Sequence, residues 1–294
     1  MKVLDKILSV LKLMRIYQYL KNVFIFAPIF FAGLIFDFEA MQSAFIAFIA
    51  FSLVASGVYI LNDYRDIEED KIHPKKRYRP LASGNISKSE AILIMCSCFL
   101  IGFITVYNLS HIAFLIIFTY LLTNIFYSFG LKKIAIIDVT IVSMGFVFRL
   151  AVGAVVTDVF LSKWIIIMTF LLALFISLAK RRDDLILLNE SGKTMRQSIK
   201  SYNIEYINSL MVMIGAIIIV SYLNYTTLIE NQLASNSEMI YISTIFVLLG
   251  LMRYLQLALV FNKTGSPTKI AYKDNLIKIS ILMWALFYFW VLYK

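Results

Sequence analysis

Residues 44–70 read AFIAFIAFSLVASGVYILNDYRDIEED, an apolar run that ends at Leu61 and is followed at once by acidic side chains. A helix rises 1.5 Å per residue, so about 20 apolar residues cross the roughly 30 Å hydrocarbon core of a bilayer. The acidic residues begin where such a helix would leave the membrane. This stretch therefore predicts a transmembrane helix that carries carboxylates at its end.

The composition extends this pattern to the whole chain of 294 residues. Hydrophobic residues make up 61% of the chain and charged residues 16%, with a mean hydropathy of +0.81. These values lie outside the range of soluble globular domains. The apolar runs do not alternate with polar residues as membrane β-barrel strands do. We predict an all-α membrane protein with nine transmembrane helices, at residues 23–37, 41–61, 90–109, 112–130, 137–157, 163–179, 208–228, 239–261 and 276–293.

The charged connections indicate how these helices are organised. The two most charged connections follow the second and sixth predicted helices, four helices apart. We predict two four-helix halves and a ninth helix around a central cytoplasm-facing cavity, in a single integral-membrane domain over residues 1–294. Residues 62–89 and 180–207 would form substrate-binding loops over that cavity. The alternating Lys and aliphatic residues within 1–22 predict an amphipathic helix at the membrane interface.

Basic residues predict the orientation of the chain. All but four of the 28 Lys and Arg residues fall in segments on one side of the predicted membrane; the exceptions are Arg149, Lys163, Arg253 and Lys294. The positive-inside rule places that side in the cytoplasm, so the N-terminus would be cytoplasmic and the C-terminus outside the plasma membrane. The net charge of +10 is explained by topology and contact with membrane lipids, and needs no nucleic acid.

Three aspartates after the second predicted helix form a candidate metal site. Asp63, Asp66 and Asp70 stand at i, i+3 and i+7, so on one helix they share a face, and Asn62 directly precedes them. Crowded carboxylates repel one another unless a cation lies between them, and oxygen ligands suit Mg²⁺. The four residues are predicted as metal ligands and the three aspartates as catalytic. The alternative is a solvated acidic loop.

A basic cluster follows the aspartates within ten residues. Its predicted substrate-binding members are Lys75, Arg77 and Arg79. Carboxylates that hold a metal beside cations that hold phosphate oxygens are suited to a magnesium–diphosphate. Lys76 is better explained by the positive-inside rule, and for Arg77 and Arg79 both explanations stay open.

Further cations point to a second anionic group. In the second charged loop Lys180 and Arg181 come before the carboxylates, and Asp184 follows them. Arg149 lies about 18 Å into its predicted helix, too deep to snorkel easily, so it should face the interior of the protein. We predict that all four residues bind substrate.

The last predicted substrate-binding residues lie where helices enter the membrane. Lys21 and Asn22 begin the first apolar run, and Tyr127 lies near the cytoplasmic end of the fourth. Asn124 and Ser128 accompany Tyr127, although a helix-packing role explains these two equally well.

The chain resembles the UbiA superfamily of intramembrane prenyltransferases. The resemblance rests on NDYRDIEED at 62–70 and HPKKRYRPLASG at 73–84. The segments YQYLKNVFIFAP at 17–28, YSFGLK at 127–132 and KRRDDL at 180–185 are similar to its decaprenyl-phosphate phosphoribosyltransferase branch. Lys180 and Arg181 replace the second Asp-rich motif typical of enzymes with aromatic acceptors. Arg182 and Asp184 stand where members of the branch often carry an aromatic residue and a Glu.

The resemblance implies a nine-helix fold with a cytoplasm-facing cavity and dependence on Mg²⁺. It implies transfer of a 5-phosphoribosyl group from phosphoribosyl diphosphate to a polyprenyl phosphate. Two alternatives stay open at this point. One is transfer of a prenyl group from a prenyl diphosphate to an aromatic or glycerol-phosphate acceptor; the other is a transporter, which is less favoured because the polar residues concentrate on the cytoplasmic side. The oligomeric state is left open.

Overall fold

The computed structural model describes residues 3–72, 76–191, 197–232, 239–262, 270 and 273–293. These residues form helices and no strand, which confirms the prediction of an all-α protein. The α-helices are α1 (Val3–Met14), α2 (Ala27–Phe31), α3 (Phe38–Arg65), α4 (Ile67–Ile72), α5 (Lys88–Leu109), α6 (His111–Phe129), α7 (Ile137–Val156), α8 (Lys163–Ser191), α9 (Ile204–Gln232), α10 (Thr244–Leu259) and α11 (Asn275–Tyr293). Short 3-10 helices connect several of them, at Ile16–Phe26, Lys76–Tyr78, Leu131–Lys133, Gln197–Ser201 and Ile240–Ser243.

Seven helices in the described part of the chain are long and apolar enough to cross a membrane, and the chain is an integral membrane protein. They coincide with the second to eighth predicted spans. Two shorter apolar helical stretches, 16–31 and 275–291, correspond to the first and ninth. The count of nine therefore stays a prediction.

The first predicted span, 23–37, differs from the structure. Its helical part begins earlier, as the 3-10 helix Ile16–Phe26, and ends with α2 at Phe31. Gly33 has a φ of 74°, a left-handed conformation that commonly terminates a helix. Pro28 stands in the first turn of α2, where its missing N–H costs no helical hydrogen bond.

The contacts divide the chain into two compact units. Unit 1 comprises residues 1–129 and 148–160, and unit 2 comprises residues 130–147 and 161–294. Unit 1 contains α1 to α6 and the C-terminal part of α7. The remainder of α7 and α8 to α11 belong to unit 2.

Helix α3 forms the centre of unit 1 because small residues let its neighbours approach closely. A Cβ on Gly57 would lie 2.4 Å from the Phe99 ring of α5, and a Cβ on Gly102 would lie 2.9 Å from the Ala50 carbonyl oxygen. Small residues are the usual means of close helix packing in membranes. This packing fixes the end of α3, where the acidic cluster lies.

The N-terminal segment and the start of α5 have well-defined helix boundaries. Helix α1 occupies Val3–Met14 of the segment predicted as an amphipathic helix, and residues 16–22 belong to the following 3-10 helix. A capping box begins α5, because Ser87 Oγ accepts from the Glu90 amide and the Glu90 side chain accepts from the Ser87 amide.

The second charged connection is shorter than predicted. The prediction of a loop over 180–207 is wrong for residues 180–191, which continue α8. An i, i+3 pair between Arg181 and Asp184 supports this turn of the helix. Helix α9 then begins at Ile204, where the Asn203 side chain accepts from the Tyr206 amide.

Candidate active site

The acidic cluster lies on a kinked pair of helices. Helix α3 ends at Arg65 and α4 begins at Ile67, because Asp66 between them has a ψ of 12° in place of a helical value. The common face that one helix would give the three aspartates is therefore interrupted by a kink at Asp66. The Asp70 amide still donates to the Asp66 carbonyl at 2.8 Å, so the two helices follow one another without a loop.

The side chains of Asp63 and Asp70 both contact the Arg79 guanidinium. Both side chains are buried, with 3% and 2% of their surface exposed. Arg79 Nη1 donates to Asp63 Oδ1 at 3.0 Å and to Asp70 Oδ2 at 2.7 Å. Lys76 Nζ lies 3.9 Å from Asp70 Oδ1. The guanidinium of Arg79 thus bridges two carboxylates. Asp66, the third predicted aspartate, lies at the kink and is half-buried.

This arrangement fits a hard divalent cation. Among the described residues, no group of three or more acidic, Cys or His side chains is arranged to hold a metal. However, Mg²⁺ usually takes only one or two protein carboxylates and completes its shell with water and substrate phosphates. Arg79 Nη1 shows that one positively charged group can contact Asp63 and Asp70 at the same time. These two residues therefore fit the protein share of a magnesium–diphosphate site.

Asn62 is held by α6 at the end of α3. Its Oδ1 accepts a hydrogen bond from Ser128 Oγ, and Arg65 donates to the Ser128 carbonyl oxygen. The Arg65 guanidinium also stacks 4.5 Å from the centroid of the Phe129 ring. Tyr127, the neighbouring predicted residue, is half-buried. Ser128 thus has the packing role that the sequence left open, and it fixes Asn62 beside the aspartates.

The basic cluster divides into different roles. Arg79 contacts the carboxylates, whereas Arg77 donates to the Tyr78 hydroxyl at 2.6 Å and lies 4.8 Å from the centroid of that ring. Arg77 is exposed. Lys75 lies outside the described residues. The structure therefore favours a site role for Arg79 over a purely topological one.

Arg149 lies inside unit 1, which confirms its predicted burial. Its Nε donates to Asn22 Oδ1 at 2.7 Å, and Asn22 in turn donates to Ser52 Oγ at 2.7 Å. The guanidinium lies 4.7 Å from the Phe51 ring centroid and 5.3 Å from the Tyr120 ring centroid. Cation–π contacts of this kind stabilise a desolvated cation. Half-buried Lys21 directly precedes Asn22.

Unit 2 contains a buried charge network that the sequence did not reveal. Asp138 at the start of α7 is fully buried and accepts from Arg181 Nε at 2.6 Å. It also accepts from Ser198 Oγ and from the Tyr202 hydroxyl, each at 3.0 Å. Burial raises the pKa of Tyr202 to about 12, so its hydroxyl stays protonated and can donate. The signal in the sequence was an acidic residue one position inside an apolar run.

The predicted cations of α8 lie in different environments. Arg181 is buried in this network, with Asp184 Oδ2 3.5 Å from its Nη1, whereas Lys180 is exposed. These two neighbouring cations, both predicted to bind substrate, therefore differ in their exposure. The physical reason is that α8 continues past Lys180, and successive helical residues point about 100° apart.

Comparisons with known proteins identify the family. Residues 23–187 match the model of the UbiA prenyltransferase family. The decaprenyl-phosphate phosphoribosyltransferase of Mycolicibacterium smegmatis is 29% identical over 290 residues, which cover 94% of this chain and 90% of that protein. The decaprenyl-phosphate phosphoribosyltransferase of Mycobacterium tuberculosis is 30% identical over 280 residues, 94% of this chain and 91% of that protein.

The solved structures show the same fold. A UbiA homologue from Archaeoglobus fulgidus bound to GPP and Mg²⁺ has a TM-score of 0.71 over 97% of this chain and all of that chain, at 16% identity. This likeness agrees with the family match, which includes the acidic cluster and the Lys180–Arg181 pair. The chain belongs to the UbiA prenyltransferase family.

Proposed function

We propose that the protein is a membrane-embedded transferase that moves a 5-phosphoribosyl group from phosphoribosyl diphosphate to a polyprenyl phosphate, with Mg²⁺ as cofactor. The observation that carries the proposal is the similarity along 94% of the chain to relatives named decaprenyl-phosphate phosphoribosyltransferase. The Asp63–Asp70 pair supports it, because two buried carboxylates around one positive charge suit a magnesium–diphosphate donor.

The donor would bind at the end of α3. Asp63, Asp66, Asp70 and Asn62 are the proposed metal ligands, and Arg77, Arg79 and Lys75 the proposed contacts of the diphosphate oxygens. When bound, Mg²⁺ would neutralise negative charge that develops on the leaving diphosphate. Arg79 would share that task, and its hydrogen bonds to both buried aspartates support this role.

The reaction needs no general base. The second pKa of a phosphate monoester is about 6, so the lipid phosphate is already a dianionic nucleophile at neutral pH. Its oxygen forms a bond to C1 of the ribose while the bond from C1 to the diphosphate oxygen breaks, and the diphosphate leaves with the electron pair. The protein would contribute mainly by placing the two anions and stabilising the leaving group.

Further cations are proposed to hold the remaining phosphates. Lys21 and Arg149 are two of these cations, and Asn22 would orient Arg149 through its hydrogen bond. Tyr127 of α6 is proposed as a further contact of the substrate. In unit 2, exposed Lys180 is the proposed phosphate contact. Arg181 and Asp184 are proposed to support it through the ion pairs that hold this turn of α8. The acceptor chain would lie in the bilayer, and the donor would enter from the cytoplasm, where we place the N-terminus.

The donor class is tested directly by supplying each candidate separately. We expect membranes that contain the protein to transfer label from phosphoribosyl diphosphate to a polyprenyl phosphate, measured as radioactivity in the lipid extract. Membranes that lack the protein are the control. The competing proposal is prenyl transfer, because the A. fulgidus homologue was solved with GPP. Label that enters an aromatic or glycerol-phosphate acceptor only from a prenyl diphosphate would replace our proposal with that one.

Replacing Arg149 by Met is expected to raise the apparent KM of one phosphorylated substrate about tenfold or more. Met retains apolar bulk beside Phe51 and Tyr120 but removes the positive charge, and a charge-assisted hydrogen bond is worth about 1.5–3 kcal/mol. Initial rates with each substrate varied in turn provide the measurement.

Arg253→Met is the matched control for Arg149. Arg253 also lies in an apolar helix, but it pairs with Asp274 at 2.9 Å in unit 2. We expect its KM values to stay within twofold of the original. Unchanged KM values for Arg149→Met would restrict Arg149 to a structural role with Asn22.

A further inference from the structure

Arg15 occupies an unusual backbone position between two helices. Helix α1 ends at Met14 and the 3-10 helix begins at Ile16, and Arg15 between them has a φ of 53° and a ψ of 49°. This left-handed conformation costs a residue with a side chain about 1–2 kcal/mol. Such strain persists only where surrounding contacts compensate for it, and it clusters at functional sites.

The strained backbone directs the Arg15 side chain to the acidic cluster. Its Nη2 donates to Asp63 Oδ1, the same oxygen that accepts from Arg79. The guanidinium also lies 5.0 Å from the centroid of the Tyr59 ring. A carboxylate offers about four lone-pair positions on its two oxygens, so a metal can still bind Asp63 through Oδ2. Arg15 is thus suited to fix the orientation of Asp63 without replacing a ligand.

One face of helix α1 contacts α3 and α5 within unit 1. Leu13 is buried in a cluster with Ile60 of α3, and Ser56 Oγ donates to the Met14 carbonyl at 2.8 Å. Lys6 also forms an ion pair with Glu90 of α5. Because the contacts of Leu13 and Met14 lie directly before Arg15, a displacement of α1 would move Arg15 relative to Asp63.

The other face of α1 is apolar and exposed. Its exposed residues recur at helical spacing and are Leu4, Ile7, Leu8 and Leu11. Lys6 and Lys12 lie beside them and are exposed as well. An apolar face flanked by Lys residues matches the bilayer interface, where acyl chains lie below anionic head groups. In an integral membrane protein the bilayer is always present, so it is the occupant that this face fits.

We propose that Arg15 is a positioning residue for Asp63, and that helix α1 maintains it by lying on an anionic membrane surface. The proposal rests on the proposed function in one respect only, the assignment of Asp63 to the magnesium–diphosphate site. It links the lipid surface to the geometry of the donor site.

Arg15→Met tests the positioning role through two readouts that should change in opposite directions. Removing the positive charge should tighten the binding of Mn²⁺ alone about threefold or more, measured by electron paramagnetic resonance of free Mn²⁺. Loss of the fixed Asp63 orientation should lower kcat about tenfold at saturating Mg²⁺ and substrates. Arg15→Lys retains the charge, so we expect Mn²⁺ affinity near that of the original protein and an intermediate kcat.

The outcomes separate the possible roles of Arg15. A purely structural residue would weaken Mn²⁺ binding together with activity, and that result, or unchanged values of both, would overturn the proposal. The Mn²⁺ titration uses no donor, so it stays informative even if the transferred group is prenyl rather than phosphoribosyl.

The role of the membrane surface is tested with Leu4→Ser/Leu8→Ser in nanodiscs that contain phosphatidylglycerol. If α1 holds Arg15 in place, this double variant should reproduce the Arg15→Met pattern, with tighter Mn²⁺ binding and a lower kcat. Leu93→Ser on α5 is the control, since Leu93 is as exposed as Leu4, 69% against 67%, but is distant from Arg15 in sequence. A double variant that behaves like this control would overturn the coupling between α1 and Asp63.

Discussion

Asp70→Asn is expected to abolish phosphoribosyl transfer while leaving the protein folded in membranes. The substitution retains the size of the side chain but removes the negative charge that Arg79 contacts at 2.7 Å. A metal that stabilises a leaving group supplies several kcal/mol, so the rate should fall about a thousandfold or more. Label transferred to the lipid extract measures the rate, and size-exclusion chromatography in detergent measures folding. Asp66→Asn at the kink should change activity in the same direction.

Glu68→Gln in the same short helix is the matched control. Glu68 is exposed and pairs with Lys71 at 2.9 Å, a contact that lowers the pKa of its carboxyl. Exposed pairs contribute little to stability, and Glu68 lies apart from the Asp63–Asp70 pair on the helix surface. We expect activity within twofold of the original. If Asp70→Asn kept full activity at limiting Mg²⁺, the metal assignment would be wrong.

The long apolar helices could be predicted from sequence because hydropathy depends on composition alone. The seven helices from α3 to α10 that cross a membrane by length match their predicted spans. The 3-10 helix Ile16–Phe26 could not be predicted in this way, because its geometry depends on close contacts with other parts of unit 1. A Cβ on Gly153 would lie 2.0 Å from the Ile25 carbonyl oxygen, which shows how closely these backbones approach.

The candidate site was predictable where spacing carries the information. The i, i+7 spacing predicted that Asp63 and Asp70 lie on one side, and both contact Arg79 despite the kink at Asp66. Arg15 was not predicted as a site residue, because a basic residue before an apolar run is already explained by the positive-inside rule. Its left-handed backbone and its contact with Asp63 depend on tertiary structure.

Asp138 was missed for a related reason. One acidic residue in an apolar run shows neither its depth nor its partner, and Arg181 is 43 residues away. We expect Asp138→Leu to destabilise the protein by about 3–5 kcal/mol, because the buried Arg181 guanidinium loses its 2.6 Å partner and keeps, among the described residues, the ion pair with Asp184 at 3.5 Å. Thermal unfolding in detergent should shift down by roughly 10 °C. An unchanged unfolding temperature would mean that water or another group replaces the lost carboxylate.

The double variant Asp138→Leu/Arg181→Met separates the structural use of Arg181 from a direct contact with substrate. Apolar residues that replace both partners of a buried ion pair often retain stability, so we expect most of the lost stability to return. We expect its transfer activity to follow its stability, because Arg181 donates to Asp138 and supports Lys180 only through the packing of α8. Lys180→Met, in contrast, removes an exposed cation on the same turn of α8. We expect it to lower the transfer rate tenfold or more, which is about 1.4 kcal/mol in activation free energy, and to leave stability unchanged. A stable double variant without activity would instead assign Arg181 itself to a substrate phosphate.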